Sequence, residues 1–175
     1  MMPEIMVREA RIEDAEAIAQ IHVETWQHAY RGQMPDALLD GLSVEGRLEW
    51  RVRILTEPPA KFHSLVAVGD DGKILGFCDV GASREPDAGE ADGTLYAIYV
   101  TPAAMGQGVG SALIDEGVRQ LRAEGFTRAT LWVLESNTPT RDFYERRGWM
   151  ADGTSKTEMW DGFGLAVVRY GLALN

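Results

Sequence analysis

Cysteine is almost absent from this chain, because Cys78 is the only one among 175 residues. A single cysteine excludes an intramolecular disulfide, which fits a reducing compartment. Since Cys78 lies in an apolar, strand-like stretch, we interpret it as a small core residue. Long apolar runs are missing as well, and no stretch approaches the roughly 20 residues of a membrane span. The first residues also lack the apolar core of a secretory signal, so we expect a cytoplasmic protein.

Basic residues are few and scattered. The chain has 17 Lys and Arg against 27 Asp and Glu, a net charge of −10, and no basic run. Nucleic-acid binding is therefore disfavoured, because affinity for the phosphate backbone comes mainly from clustered cations. The acidic excess can attract a cationic acceptor, or it can serve only solubility. The three histidines have no zinc-ligand spacing, so we expect no metal.

The apolar residues follow the periods of helices and strands. With 45% hydrophobic and 25% charged residues, the chain suits one domain with its own core. The first half predicts a short strand at about 5–10, helices at about 14–30 and 36–41, and a third helix capped by Ser43. A β-hairpin with an Asp-Gly turn follows at 65–77. Residues 82–93 are polar and rich in breakers, so we predict a mobile or functional loop there.

The second half alternates strands with amphipathic helices. After a β-rich run from Thr94, a helix has one apolar face, made of Val109, Leu113, Gly117 and Leu121, with Ile114 and Val118 beside them. A buried strand over 129–134 and a helix capped by Thr138 and stopped by Gly148 come next. Two strands around Asp161-Gly162 are predicted for the tail.

Closely spaced glycines precede the first of these two helices. Gly106, Gly108 and Gly110 lack a Cβ, so a ligand can approach the backbone at a helix N-terminus, where free N–H groups and the helix dipole favour an anion. This pattern predicts a phosphate or pyrophosphate site. The turn has neither the lysine and Ser/Thr of a P-loop nor the glycine spacing of a dinucleotide site.

The sequence around these glycines resembles a known family. Ile98-Tyr99-Val100-Thr101-Pro102, Met105-Gly106-Gln107-Gly108-Val109-Gly110 and Leu113 closely resemble the acetyl-CoA-binding signature of the GNAT N-acetyltransferase superfamily. A second block, Leu131-Trp132-Val133, Glu135, Asn137, Phe143-Tyr144 and Gly148-Trp149, is similar to the family's next strand and helix. Met105 departs from the usual Gln or Arg, which removes one possible charged contact with the cofactor.

The resemblance implies a fold and a cofactor. We expect an α/β (α+β) protein in which residues 1–175 form a single GNAT-like domain. Its mixed central sheet of about six to seven strands should be splayed at the cofactor site and flanked by four to five helices. Acetyl-CoA would be the cosubstrate, bound by a set of residues that follow the family pattern: Ile98, Tyr99, Val100, Met105, Gly106, Gln107, Gly108, Val109, Gly110, Ser111, Asn137 and Tyr144.

The resemblance also implies a reaction, direct transfer of an acetyl group to a primary amine. Tyr144 matches the family's tyrosine near the sulfur of CoA, and we expect it to protonate the departing thiolate. It can instead be a packed helix residue beside Phe143. Asn137 matches a position that often contacts the pantetheine arm, and asparagine also suits a turn or helix cap.

The acceptor side is less defined by the sequence. Trp26 and Tyr30, four residues apart on one helix face, and Glu135 are candidate substrate-binding residues. The general base stays open, since the family glutamate falls near Thr94. The remaining candidates are three nearby carboxylates and a water chain without a dedicated base; the carboxylates are Glu90, Asp92 and Glu135.

Two function classes fit the sequence. One is an acetyl-CoA-dependent N-acetyltransferase acting on a small-molecule amine, and the other is a non-catalytic sensor of acyl-CoA that regulates a partner. Tyr144 favours the enzyme. The C-terminal strands could pair across a two-fold axis, so a homodimer is expected. We expect neither nucleic acid nor membrane among its partners.

Overall fold

The computed structural model describes residues 4–160 and 162–175, and a mixed seven-stranded sheet runs through them. The strands are β1 (Met6–Glu9), β2 (His63–Val68), β3 (Ile74–Ala82), β4 (Asp92–Val100), β5 (Arg128–Leu134), β6 (Met150–Trp160) and β7 (Phe163–Ala173). The helices are α1 (Ala15–Ala29), α2 (Asp36–Asp40), α3 (Val44–Thr56), α4 (Val109–Ala123) and α5 (Thr138–Arg146). No helix in these ranges is both long and apolar enough to cross a membrane. Asp161 and the first three residues lie outside the described ranges.

The strand order is β1-β2-β3-β4-β5-β7-β6. Every neighbouring pair is antiparallel except β4 and β5, which are parallel. Parallel neighbours need a long crossover connection, and α4 supplies it. The expected sheet of six to seven strands with four to five helices is confirmed.

Helix α4 packs on the sheet through the face that its sequence predicts. The apolar residues of this face are all buried: Val109, Leu113, Ile114, Gly117, Val118 and Leu121. A Cβ on Gly117 would lie 3.2 Å from the sulfur of Cys78, so the glycine lets α4 approach β3 closely. Cys78 is fully buried there, which confirms it as a core residue. This close packing sets where the N-terminus of α4 meets the sheet.

The loop predicted over residues 82–93 is shorter than expected. Ala82 ends β3 and Asp92 begins β4. Between them, Glu85 accepts a hydrogen bond from the indole N–H of Trp132 at 2.7 Å, and Asp87 forms a paired contact with Arg169 at 2.9 and 3.0 Å. Glu85 and Asp87 therefore fasten this loop to β5 and β7.

The expected cap of α5 is also corrected. Asn137 occupies the N-cap position and Thr138 is the first helical residue, while the Asn137 side chain makes no capping bond. Pro139, which suits the first turn because its missing N–H is not needed there, is therefore the second helical residue. Residue types alone do not distinguish these two registers.

Helix α3 is held on the sheet by a buried ion pair. Two guanidinium nitrogens of Arg51 donate to the two carboxylate oxygens of Asp79 on β3, each at 2.9 Å. Ser64 on β2 donates to the same carboxylate at 2.6 Å. The side chains of Arg51 and Asp79 are only 2% and 3% exposed, so each charge relies on the other for neutralisation.

His63 joins β1, β2 and the end of α4. Its Nδ1 lies 2.6 Å from a carboxylate oxygen of Glu9, and its Nε2 lies 2.9 Å from one of Glu124. Burial lowers the pKa of His63, but the hydrogen bonds to both carboxylates raise it by more, so its pKa is above the usual value. The folded protein therefore holds this proton more tightly than the unfolded chain does.

We expect this histidine to make stability pH-dependent. Its contribution is complete below the unfolded pKa of about 6.5 and is lost as the pH rises through the higher folded pKa. The midpoint of urea unfolding should fall more between pH 6 and pH 8.5 (approximate bounds around that value) in the wild type than in His63→Gln. His28→Gln, at an exposed histidine of α1, is the control and should keep the wild-type slope. Equal slopes in all three proteins would contradict the prediction.

Candidate active site

Strands β4 and β5 separate along their length. They pair only at Asp92, Gly93 and Thr94, which face Arg128, Ala129 and Thr130. Beyond Thr94, β4 continues to Val100 and β5 continues to Leu134 without pairing to each other. A wedge-shaped gap therefore opens between the two central strands, and the splayed sheet expected from the sequence is confirmed.

The open edge of β4 presents main-chain groups to this gap. The N–H of Thr101 donates to the carbonyl of Leu75 at 2.9 Å, on the β3 side. Because successive residues of a strand direct these groups to opposite sides, the N–H and C=O of Ile98 and Val100 point toward β5. No strand pairs with them there among the described residues. An extended ligand with amide groups would match this edge.

The glycine turn lies at the start of α4. Gly106 and Gly108 have φ angles of 78° and 86°, in the left-handed region that glycine tolerates best. The first helical bond runs from the N–H of Ala112 to the carbonyl of Gly108 at 3.0 Å. The six preceding N–H groups, from Gly106 to Ser111, have no acceptor in the described part of the chain. They form a donor set at the positive end of a helix dipole.

Substitution of Gly108 should weaken cofactor binding. In Gly108→Ala, the added methyl group meets no atom of the protein within 4 Å, so it would project into the open space beside the free N–H groups, where we expect the anion. We expect the dissociation constant of CoA, measured by calorimetry, to rise about tenfold or more as charge-assisted hydrogen bonds are lost.

The matched control is Gly125→Ala at the other end of α4. Gly125 has a φ of 93° and open space around it, so this variant carries the same backbone strain away from the turn. Its affinity for CoA should stay at the wild-type value. Equal weakening in the two variants would show that strain, rather than ligand contact, is responsible.

Arg147 adds a positive charge near the glycine turn that the sequence did not single out. Its guanidinium donates to the hydroxyl of Ser111 at 3.1 Å and pairs with Asp115 one turn along α4. The other turn residues predicted to bind cofactor have varied exposure: Met105 is 44% exposed, Gln107 is partly exposed, and Val109 is buried in the core. Because the Met105 side chain carries no charge, binding of an anion at this turn would depend on the main-chain N–H groups.

Tyr144 lies on α5 among other aromatic rings. Its ring centre is 5.6 Å from that of Phe143 and 6.1 Å from that of Trp149, and the residue is 4% exposed. Burial, with smaller contributions from Tyr99 and Cys78, raises the pKa of Tyr144 above its usual value. The phenol therefore stays protonated at neutral pH and can donate a proton.

A second aromatic group lies on the α1 side of the sheet. His22, Trp26 and Tyr30 follow each other at intervals of four residues along α1. The ring of Trp26 is 5.1 Å from Tyr30 and 4.8 Å from Trp160, at the end of β6. Of these, the sequence singled out Trp26 and Tyr30; the same spacing includes His22, and Trp160 comes from a distant strand.

The phenols of the two aromatic groups affect one another. Burial raises the pKa of Tyr30, and the phenols of Tyr99 and Tyr144 add to this effect. Tyr99 lies on β4, and its ring centre is 5.2 Å from that of His22. Burial, with the charges of Arg47 and Arg51, lowers the pKa of His22 to about 3, so this imidazole is neutral. Tyr99 thus connects the aromatic rings of α1 with β4.

The remaining predicted residues lie around this centre with different exposure. Asn137 is half-buried, at the junction of β5 and α5, and its carbonyl accepts from the N–H of Arg141 at 3.0 Å. Glu135 has an exposed side chain, and its carbonyl accepts from the Arg141 side chain at 2.8 Å.

The candidates for a general base are occupied or exposed. Thr94 donates its hydroxyl proton to the carbonyl of Thr130 at 2.8 Å, Asp92 accepts from the N–H of Gly89 at 2.9 Å, and Glu90 is exposed. No group of three or more His, Cys, Asp or Glu side chains placed to hold a metal ion occurs within 4–160 and 162–175.

Comparison with known proteins identifies the family. A family model described as the acetyltransferase (GNAT) family matches residues 15–149. The chain belongs to this family. The uncharacterized N-acetyltransferase YuaI of Bacillus subtilis (strain 168) is 35% identical over 142 residues, 81% of this chain and 78% of YuaI. Mycothiol acetyltransferase of Arthrobacter sp. (strain FB24) is 37% identical over 97 residues, and the match spans 54% of this chain but 29% of that enzyme.

Solved structures of GNAT proteins share the fold. PaiA N-acetyltransferase from Thermoplasma acidophilum, in complex with coenzyme A, has a TM-score of 0.69 at 22% identity over 94% of this chain and 98% of its own. YncA from Salmonella typhimurium, with its cofactor acetyl-CoA, has a TM-score of 0.74 at 20% identity over 98% and 95% of the two chains. The predicted membership of the GNAT superfamily is confirmed.

Proposed function

We propose that this GNAT acetyltransferase moves the acetyl group of acetyl-CoA directly to a primary amine of a small molecule. The main support for this proposal is that six N–H groups at the start of α4, without acceptors among the described residues, follow the strand that borders the gap between β4 and β5. The buried phenol of Tyr144 stays protonated and would act as the proton donor at this gap. The structures of PaiA and YncA with CoA and acetyl-CoA support this cofactor for the shared fold.

The residues present fit CoA. The N–H groups from Gly106 to Ser111 suit a diphosphate, because it can accept several hydrogen bonds at a positive helix end. The main-chain groups of Ile98 and Val100 suit the two amides of the pantetheine arm, as a strand edge suits a peptide. Asn137, just before α5 and three residues after β5 ends, would contact the pantetheine arm.

Acetyl-CoA supplies an acetyl group that is activated as a thioester, and the thiolate of CoA is a good leaving group. The amine nitrogen forms a bond to the acetyl carbon, and the bond from that carbon to sulfur breaks. Tyr144 donates its proton to the departing sulfur and recovers one from solvent, while the amine proton leaves through water. We assign no dedicated carboxylate base, since Asp92 accepts a hydrogen bond from Gly89 and both Glu90 and Glu135 are exposed. Trp26 and Tyr30 form part of the acceptor side, with Glu135 at its rim.

Two measurements on the purified protein test this function. Calorimetry should show binding of CoA and acetyl-CoA, and a panel of amines should release free thiol from acetyl-CoA with at least one amine. No binding at millimolar ligand would overturn the proposal. Binding without thiol release from any amine would favour a non-catalytic acyl-CoA sensor instead.

We also propose a homodimer through β6. This strand is at one end of the sheet order, and ten of its eleven residues are exposed. Its outer edge has no partner in the described part of the chain, and such edges readily pair with another strand. Light scattering after size exclusion should give twice the chain mass, and Thr157→Pro should shift it toward one chain. A wild-type mass of one chain would contradict this assembly.

A further inference from the structure

Arg47 has an unusual position on α3. Its guanidinium carbon lies 5.2 Å from the centre of the Trp160 ring, on the side of the sheet where Trp26 and Tyr30 also lie. Residues 47 and 51 are one helical turn apart. Arg51 is neutralised by Asp79, but Arg47 makes no salt bridge and no side-chain hydrogen bond with any of the described residues.

Such a cation is expected to have a partner. Burial lowers the pKa of Arg47, so the surroundings do not solvate its charge as water would. Partly buried charges are normally paired, because desolvation otherwise costs free energy. The carboxylate of Asp79 on β3 is taken up by Arg51 and Ser64. Among the described residues, the charge of Arg47 is therefore left without a carboxylate partner.

Two further polar groups beside Arg47 make no well-directed hydrogen bond with the described residues. The indole N–H of Trp26 is buried and forms no hydrogen bond of acceptable geometry, although the Tyr99 phenol is near it. The Nε2 of His22 is likewise buried without a partner. A donor and a neutral imidazole thus flank the cation, and the rings of Trp26 and Trp160 form apolar walls.

These groups lie beside β4, whose open edge is the proposed cofactor site, since the ring centre of His22 is 5.2 Å from that of Tyr99. Tyr30 packs edge-on against Trp26, and its phenol is close enough to Tyr144 to be affected by it. An acceptor that places its amine toward Tyr144 would place the rest of its structure toward Trp26 and Arg47.

We infer that the acceptor is an amine that also carries an anionic oxygen group, as an amino acid does, and that Arg47 binds this group. This inference rests on the proposed acetyl transfer and names its substrate class. Arginine suits a carboxylate because its planar fork donates two parallel hydrogen bonds. The overall charge of −10 would by itself favour a cationic acceptor, but the local arrangement favours the opposite sign.

Matched pairs of amines test the inference. Each pair is an amino acid and its decarboxylated amine, such as phenylalanine with phenethylamine and methionine with 3-(methylthio)propylamine. Thiol release from acetyl-CoA should give a kcat/KM about tenfold or more higher for the amino acid of the preferred pair, chiefly through KM. Equal values, or a preference for the decarboxylated amines, would overturn the inference while leaving acetyl transfer intact.

Variants assign the preference to Arg47. Arg47→Met should reduce kcat/KM for the amino acid about tenfold more than for its decarboxylated partner, and Arg47→Lys should keep part of the preference. Arg53→Met removes the same charge from an exposed site on α3 and should leave the preference unchanged.

Asp161, which follows Trp160 in sequence, is tested by Asp161→Asn. A marked rise in the preference in that variant would show that Asp161 already neutralises Arg47 and would overturn the assignment.

A binding measurement separates this inference from catalysis. The N-acetylated amino acid is added to the protein loaded with CoA, and its binding is followed by calorimetry. Binding to the wild type, weakened about tenfold in Arg47→Met, would support the anion site even where no amine is turned over. No binding to the wild type, or equal binding to Arg47→Met, would overturn it.

Discussion

Tyr144→Phe is expected to lower kcat by about 100-fold or more, the usual contribution of a positioned proton donor. The ring remains, so its packing against Phe143 and Trp149 should persist. Only the hydroxyl proton is lost, and the departing sulfur must then leave as a free thiolate. The measurements are steady-state thiol release and the calorimetric dissociation constant of acetyl-CoA, which should change little.

Tyr170→Phe is the matched control for this substitution. Tyr170 is a fully buried phenol whose ring centre is 6.4 Å from that of Tyr144, but its hydroxyl accepts a hydrogen bond from Arg141 at 3.0 Å. We expect Tyr170→Phe to affect stability modestly and kcat little.

Because the raised pKa of Tyr144 keeps its phenol protonated, the rate of the wild type should show no loss from this group below about pH 10. Unchanged turnover in Tyr144→Phe would remove it from the reaction.

Arg51→Met should lower the free energy of unfolding by about 3–5 kcal/mol, the range found when one partner of a buried ion pair is removed. The loss arises because the carboxylate of Asp79, only 3% exposed, would keep its charge with Ser64 as its remaining side-chain donor. Urea unfolding followed by tryptophan fluorescence measures it, given the five tryptophans of the chain.

The double variant Arg51→Met/Asp79→Leu provides the internal control. Replacing both charges by apolar groups removes the desolvation cost, so most of the lost stability should return. Arg53→Met, at an exposed position of the same helix, should cost well under about 1 kcal/mol. A loss in Arg51→Met no larger than in Arg53→Met would show that the pair does not hold α3 on the sheet.

Local patterns predicted helix α4 and the glycine turn before it well. The apolar face of α4 appears in the structure with every predicted member buried, because helical periodicity is a property of a short segment. The positive φ angles of Gly106 and Gly108 likewise agree with a turn that needs residues without a Cβ. Both predictions depend only on residues that lie within about a dozen positions of one another in the sequence.

The loop over 83–91 shows where local patterns were insufficient. Its polar residues and breakers predict a mobile or functional loop, and they do not indicate that Asp87 pairs with Arg169, which is 82 positions away. The predicted cap of α5 was wrong by one residue, because Asn137 and Thr138 both suit the start of a helix.

The sequence alone determined the family, the alternation of helices and strands, and the free N–H groups at the start of α4, because these depend on residues close together in the chain. Only the tertiary structure decided which charges are neutralised: Asp79, 28 positions away, pairs with Arg51 and leaves Arg47 beside Trp160. It also decided that the phenols of Tyr99 and Tyr144 act on the pKa of Tyr30, 69 and 114 positions away from them. Sheet register and helix packing bring such distant side chains together, and neither is encoded in the spacing of any one segment.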